Sequence, residues 1–440
     1  MRASARETAL QVLTACRQGG AWADGALKSA IGKDRLAGPD AKLATHIVYG
    51  VMQNRILLDR YVGLCCSQRP EQLEPLLLDI LRIGAYQILF LDRIPDSAAV
   101  NESVELAKAH GKARASGLVN AVLRKISREK DRPVELPAAQ EERLSICYSH
   151  PRWLVERLIA LLGAEEAEAF LKENNRPAPL TVQVNTLKTS VEELMGALRA
   201  EGVESERHPW LSDCLILSGT GNLASLTAFA DGGFWVQDAG AKLAVLAARP
   251  HGTVIDVCAA PGGKSFAAAS LMNGEGHIFS CDIHAHKLKL MEAGAKRLGI
   301  ENMEPMLQDG RVLREDWLEA ADTVLVDVPC SGLGIIRKKP DIRYKNPADL
   351  SGLPQIQRAI LENAARYVNV GGTLVYSTCT ILPEENEQVT EGFLRDHSQF
   401  SKEPFSLPLS QSETGELTLW PQRHGTDGFY ICRMRRTDHD

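Results

Sequence analysis

The chain has 440 residues, more than one hydrophobic core usually organises, so two or three domains are expected. Hydrophobic residues at 44% and charged residues at 24% describe an ordinary globular protein and exclude a long disordered tail. A net charge of -6 excludes a uniformly basic nucleic-acid binder, so any such role must rest on local charge.

From residue 1 to about 130, apolar residues recur at three and four spacing, as in Leu73, Leu76, Leu77, Ile80 and Leu81. That period predicts helices throughout. The start threads Arg6, Glu7, Gln11 and Arg17 through its apolar positions, which suits an amphipathic helix better than a signal peptide. The most apolar stretch, from Leu76 to Leu91, is broken by Asp79, Arg82 and Gln87, so no membrane span is expected and the protein is read as cytoplasmic. Lys108 to Arg132 carries eight Lys/Arg against two acids. Pro133 and Pro137 mark a first boundary, and His150-Pro151 introduces an amphipathic helix from Trp153 to Leu162.

A second pattern follows. Leu180 to Val184 reads as a strand, Val191 to Ala200 as a helix and Cys214 to Leu217 as another strand, a small α+β module. After Trp235 comes a helix over 238–248, then β-branched runs at Val254 to Val257, Ile278 to Cys281, Thr323 to Val328 and Thr373 to Tyr376, each followed by a helical stretch. Such alternation predicts a parallel, Rossmann-like sheet wrapped on both faces, with Phe429 to Arg433 as a closing strand. The expected domains are therefore all-α over 1–135, small α+β over 145–235 and α/β over 236–440.

Ten cysteines with no C-x-x-C pair point to free thiols in a reducing compartment. Cys281, His284 and His286 lie close in sequence, but they straddle a strand end and a helix start, and no metal is expected there.

The segment Cys258-Ala259-Ala260-Pro261-Gly262-Gly263-Lys264 follows a strand and opens a helix. Its glycines allow close backbone approach, and free N–H groups at a helix start hold anions such as the carboxylate of S-adenosylmethionine. Asp282 ends the next strand 19 residues after Gly263, where an acid grips ribose hydroxyls in dinucleotide folds. Asp309, after a third strand-like stretch, is placed to reach an adenine amino group. The spacing G-x-G-x-x-G is absent, which counts against a nicotinamide or flavin cofactor.

Two further strands end in loops that bear Cys330 and Cys379. Carbon 5 of cytosine is a poor nucleophile, and a thiolate adding to carbon 6 makes it electron-rich. A base must then remove the carbon-5 proton so that the thiol can leave. The chemistry thus wants a nucleophile and a base, and Asp327 is placed to hydrogen-bond the N3/N4 edge of the ring. An amine methyltransferase needs no thiols.

These residues resemble the NOL1/NOP2/Sun RNA cytosine-5 methyltransferases. The matching stretches are DVCAAPGGK at 256–264, DVPCSGLGIIRKKPDIRY at 327–344, STCTILPEENE at 377–387 and GTDGFYICRM at 425–434. VNESVELAK at 100–108 and GLVNAVLRKI at 117–126 resemble a NusB-type helical RNA-binding domain, which within that family marks the bacterial 16S rRNA branch. The resemblance implies an RRM-like middle module and a methyltransferase domain using S-adenosylmethionine held by residues 258–264, Asp282, Asp309 and Asp327. It implies Cys379 as nucleophile, Cys330 as the residue assisting product release, and cytosine 967 of 16S rRNA as substrate. Thr380 stands where that family more often has Ser, which keeps the hydroxyl. Arg124, Lys125 and Arg128, with Arg337, Lys338 and Lys339, become expected phosphate contacts. The protein is expected to act as a monomer.

Two other readings stay open. One is an RNA-binding assembly factor with a non-catalytic methyltransferase domain, against which the two thiols and three acids speak. The other is the same chemistry on tRNA or DNA. DNA enzymes of this kind attack with the proline-cysteine loop thiol, so the cysteine at 379 discriminates.

Overall fold

The computed structural model describes residues 4–19 and 22–438. The chain forms two compact units: one runs to Arg176 and also takes in Ile336–Lys345, and the other comprises Pro177–Ile335 and the chain from Asn346 onward. Compactness thus divides the chain near residue 176, beyond the boundary at 135 that the prolines suggest. The physical reason is packing: the helix Gln140–Tyr148 contacts the long helix Gly38–Cys65, and the helices Arg152–Leu162 and Ala164–Glu173 pack on each other and on Gln140–Tyr148.

The first unit is helical. Its central helix, Pro75–Phe90, buries Leu77, Leu78, Ile80, Leu81, Ile83, Ala85 and Ile88, so it is apolar around most of its circumference, as a core helix must be. Each such leucine or isoleucine side chain contributes roughly 1.5–3 kcal/mol on burial. Gly50 permits the close approach of Gly38–Cys65 here, since a Cβ there would lie 1.9 Å from the Tyr86 ring. Arg82 is buried on the same helix and is held at 2.7–2.8 Å by Asp59 and Asp79.

Ile336–Lys345 belongs to this helical unit. Asp341 accepts the backbone N–H of Ala23, the first residue of the helix Ala23–Asp34, at 3.1 Å. Arg343 is fully buried and has no carboxylate partner among the described residues. Its Nη1 donates to the carbonyls of Gln53 at 3.0 Å, Ser149 at 3.2 Å and Tyr148 at 3.4 Å, and to Asn175 Oδ1 at 3.0 Å. Burial lowers its pKa to about 10.

The second unit opens with a four-stranded antiparallel sheet of β1 (Leu180–Val184), β2 (Glu204–Arg207), β3 (Cys214–Ser218) and β4 (Phe234–Val236), ordered β2-β3-β1-β4. The helix Val191–Ala200 begins where the sequence dictates, because Ser190 and Glu193 form a reciprocal capping box.

The larger sheet contains β5 (Thr253–Asp256), β6 (His277–Asp282), β7 (Met303–Leu307), β8 (Ala321–Asp327) and β9 (Val368–Thr378), all parallel. At its far edge are β10 (Phe400–Lys402) and β14 (Phe429–Arg436), with β13 (Glu416–Leu419) beside β14. Here the expectation of a parallel sheet is corrected. β14 runs antiparallel to β9, pairing Ile431 with Ser377, so the sheet is mixed. The hairpin β11 (Phe405–Leu407) and β12 (Ser410–Ser412) had no alternating apolar signal strong enough to announce it. The main order is β10-β14-β9-β8-β5-β6-β7, so chain direction across the sheet reverses between β5 and β8. Ligands bind outside the carboxyl ends of strands at such a point.

Candidate active site

The loop after β5 carries the glycine turn. Gly262 has φ 107°, a conformation that L side chains rarely adopt, and a Cβ there would lie 2.6 Å from the Phe266 ring. Ala259 N–H donates to the Cys281 carbonyl at 2.7 Å, and Gly262 N–H to the Ala259 carbonyl at 2.7 Å, so the turn is folded tightly against β6. The helix Gly263–Leu271 begins immediately and points its first-turn N–H groups out of the helix end. Beneath the turn, burial pushes the Asp256 carboxyl up to about 7 despite a 2.7 Å hydrogen bond from Ser265. Burial also raises the Cys258 thiol.

Asp282 is buried at the end of β6, where Oδ1 accepts the His284 N–H at 2.9 Å and Oδ2 lies 3.6 Å from Lys287. Asp309 is bound on both oxygens by Arg311, whose hydrogen bonds hold the carboxyl below its usual range. Two residues that sequence reasoning missed stand beside these acids. Ile283 and Leu307 are 48% and 59% exposed at the ends of β6 and β7, an apolar surface suited to a flat ring. Their exposure becomes visible only once both strands end on one rim.

Asp327 ends β8. Its Oδ2 lies 2.6 Å from Lys264 Nζ and its Oδ1 accepts from Ser377 Oγ at 2.8 Å, which ties the start of the helix Gly263–Leu271 to the ends of β8 and β9. Burial disfavours the Lys264 ammonium, but the charge and hydrogen bond of Asp327 together with the nearby Asp256 outweigh it, and the lysine pKa is raised.

The two cysteine loops meet. Cys330 Sγ and Cys379 Sγ are 3.2 Å apart, both half-buried and both free thiols. Ser331 Oγ and Thr380 Oγ1 are 2.6 Å apart beside them, so the hydroxyl at 380 joins one loop to the other. Gly334 N–H donates to the Cys379 carbonyl at 2.9 Å. The hydrogen bond with Cys379, reinforced by burial, pushes the Cys330 thiol well above its ordinary value.

The expected phosphate contacts divide. Arg124 and Arg128 are exposed on the helix Ser116–Glu129, and Lys125 is half-buried there. Lys339 is exposed and Lys338 half-buried. Arg337 is a correction: its side chain is 1% exposed and its guanidinium lies 3.6 Å from Glu173, so it faces the protein interior rather than a phosphate. Among the described residues no cluster of three or more His, Cys, Asp or Glu is placed to hold a metal, and no helix is long and apolar enough to cross a membrane.

A sheet ordered β7-β6-β5-β8-β9 with an antiparallel β14, a glycine turn after its first strand and acids along the neighbouring strand ends, defines an S-adenosylmethionine-dependent methyltransferase fold. The family described as 16S rRNA methyltransferase RsmB/F matches residues 243–435, the NusB family matches 3–128, and the ferredoxin-like domain of RsmF/B-like methyltransferases matches 150–224. The probable ribosomal RNA small subunit methyltransferase B of Bacillus subtilis (strain 168) is 38% identical over 99% of this chain and 99% of its own. The ribosomal RNA small subunit methyltransferase B of Erwinia tasmaniensis is 31% identical over 90% of each. The crystal structure of PH0851 superposes with a TM-score of 0.83 at 30% identity, covering 99% of this chain and 98% of that one. The chain belongs to the ribosomal RNA small subunit methyltransferase B family, and it is an rRNA methyltransferase.

Proposed function

We propose that the protein methylates carbon 5 of a cytosine in 16S rRNA, cytosine 967 being the target that family likeness favours, through a covalent adduct at carbon 6. The observation that carries this reading is the pair of thiols 3.2 Å apart at the ends of β8 and β9. One sulfur serves an ordinary nucleophile; two, within reach of one pyrimidine ring, serve a reaction in which a bond must be made and later broken.

The donor fits the residues present. The first turn of Gly263–Leu271 would hold its carboxylate, Asp282 its ribose, and Ile283, Leu307 and Asp309 would border its adenine. S-adenosylmethionine supplies an electrophilic methyl group there. A structure of NSun6 from Pyrococcus horikoshii with SFG, 25% identical with a TM-score of 0.60, covers 66% of this chain and supports a methyltransferase fold that holds a ligand.

Cys379, as thiolate, adds to carbon 6 of the cytosine, and carbon 5 becomes nucleophilic. Asp327, fixed by Lys264 and Ser377, accepts from the N4 amino group and holds the ring edge. Once carbon 5 carries the methyl group, a solvent-derived base accepts its proton, the C–H electron pair restores the 5,6 double bond, and the bond between carbon 6 and sulfur breaks to return Cys379 as thiolate, with Cys330 assisting as it departs. The base must leave its stack to reach the thiols.

Cys379→Ala is expected to abolish the covalent RNA adduct, and Cys330→Ala to let it form and persist, both read on denaturing gels. The opposite pattern would reverse the two roles. Mapping 5-methylcytosine in 16S rRNA with and without the enzyme tests the nucleotide, and a mark elsewhere than position 967 would exclude that target.

A further inference from the structure

Glu385 and Asn386 stand side by side ahead of the helix Glu387–Asp396, and each grips a different cysteine loop. Glu385 Oε2 accepts the N–H of Ser331, the residue after Cys330, at 2.8 Å, and accepts from Gln357 Nε2 at 2.8 Å. Gln357 Nε2 also donates to the carbonyl of Pro329, the residue before Cys330, at 3.0 Å. Asn386 accepts from Thr378 Oγ1 at 2.6 Å and donates to the Thr380 carbonyl at 3.1 Å, on the two sides of Cys379. All three side chains are buried.

The geometry explains why the loops hold still, but not why residue 385 is charged. A glutamine carbonyl would accept the same two N–H groups without burying an anion. Glu385 Oε1 is buried with no hydrogen-bond partner among the described residues, which leaves one carboxyl oxygen uncompensated beside the Cys330 loop. The groups that hold the two loops are therefore unequal. The carboxyl of Glu385 is hydrogen-bonded to the Cys330 loop, the neutral amide of Asn386 holds the Cys379 loop, and Asp327 is paired with Lys264.

We propose that Glu385 is the positioning residue that decides which sulfur attacks: its charge keeps the shared proton of the pair on Cys330 and leaves the thiolate on Cys379. This rests on the two-thiol reading above. Once the pair has given one proton to solvent, the step loses and gains no atom, since the remaining proton only changes its residence between two sulfurs that already face each other. Cys330 then enters the later stage as a protonated thiol.

The test uses the full chain and iodoacetamide, with the modified cysteine located by mass spectrometry, alongside the RNA-adduct gel. Wild type is expected to be alkylated at Cys379 in preference to Cys330. Glu385→Gln, which retains both accepted hydrogen bonds, should reduce that preference at least fivefold and lower the adduct yield, with S-adenosylmethionine affinity unchanged by calorimetry. Glu385→Asp, which keeps the charge and disturbs the grip, should retain the preference. If Gln and Asp variants behave alike, or neither shifts the ratio, the charge has no such role and the proposal is overturned. If instead wild type forms its RNA adduct through Cys330, the two-thiol reading itself fails, a result distinct from a silent Glu385.

Discussion

The helix Ser116–Glu129 and the segment Ile336–Lys345 both read as basic, yet within the same helical unit their cations meet opposite surroundings. On the helix, Arg124 donates to Asn120 at 2.9 Å and Arg128 is exposed, while the apolar face of Val119, Val122, Leu123 and Ile126 is buried. In the segment, Arg337 and Arg343 are buried and the exposed charge is left to Lys339. Guanidinium is more weakly hydrated than an ammonium, so burying it against carbonyl oxygens costs less desolvation. The contrast separates charge used for folding from charge available to a polyanion.

The sharpest way to break this contrast is Arg343→Met. The Tyr148 and Ser149 carbonyls keep other donors, so the loss falls on the Gln53 and Asn175 oxygens, each worth about 1–3 kcal/mol when left unpaired, and relief of the buried charge offsets part of that. The helical unit should lose about 3 kcal/mol, read by denaturant unfolding of the full chain. An unchanged midpoint would show that Arg343 is dispensable.

A smaller effect is expected from reversing the outward charges. Glutamate at 124, 125 and 128, or at 338 and 339, should weaken RNA binding and flatten its dependence on salt by roughly 0.7–0.9 per lost phosphate contact. Affinity for the methyl donor should stay constant in calorimetry. Arg337→Met should leave the salt slope where it was, because that side chain is buried beside Glu173.

The smallest effect concerns pH. His150 is fully buried, and burial, with the Arg343 charge nearby, lowers its pKa well below 6.5. The unfolded chain takes up this proton near 6.5 and the folded chain only at lower pH, so the contribution is complete above about 6.5 and is lost as pH falls below it. Melting temperatures measured from pH 8 to 5 should drop more steeply in wild type than in His150→Gln, by up to roughly 1.4 kcal/mol per pH unit. Parallel curves would assign the acid sensitivity elsewhere.

Much of the catalytic rim was legible because its chemistry sits in loops that directly follow strands. The β-branched runs located β5, β6, β8 and β9, and the residues after them then had to share one edge. The direction of β14 was not legible, since an apolar run carries no sign of parallel or antiparallel pairing. Nor was the clamp of Glu385 and Gln357, which are 28 residues apart and carry no local signature. Arg337 was misread because a count of charges says nothing about what each faces. The interleaved Ile335, Ile336, Pro340 and Ile342 were the available signal that this stretch is partly interior.

Because Ile336–Lys345 belongs to the helical unit while its flanks do not, no single cut separates the chain into its two bodies. Cleavage after Arg176 would deprive the amino-terminal fragment of the guanidinium around which its carbonyls are arranged, and would strip Ile336 and Ile342 of their cover in the other fragment. Fragments made apart would have to complement one another by reinserting a decapeptide. The order of domains along the gene conceals an interlacing that fragment complementation would reveal.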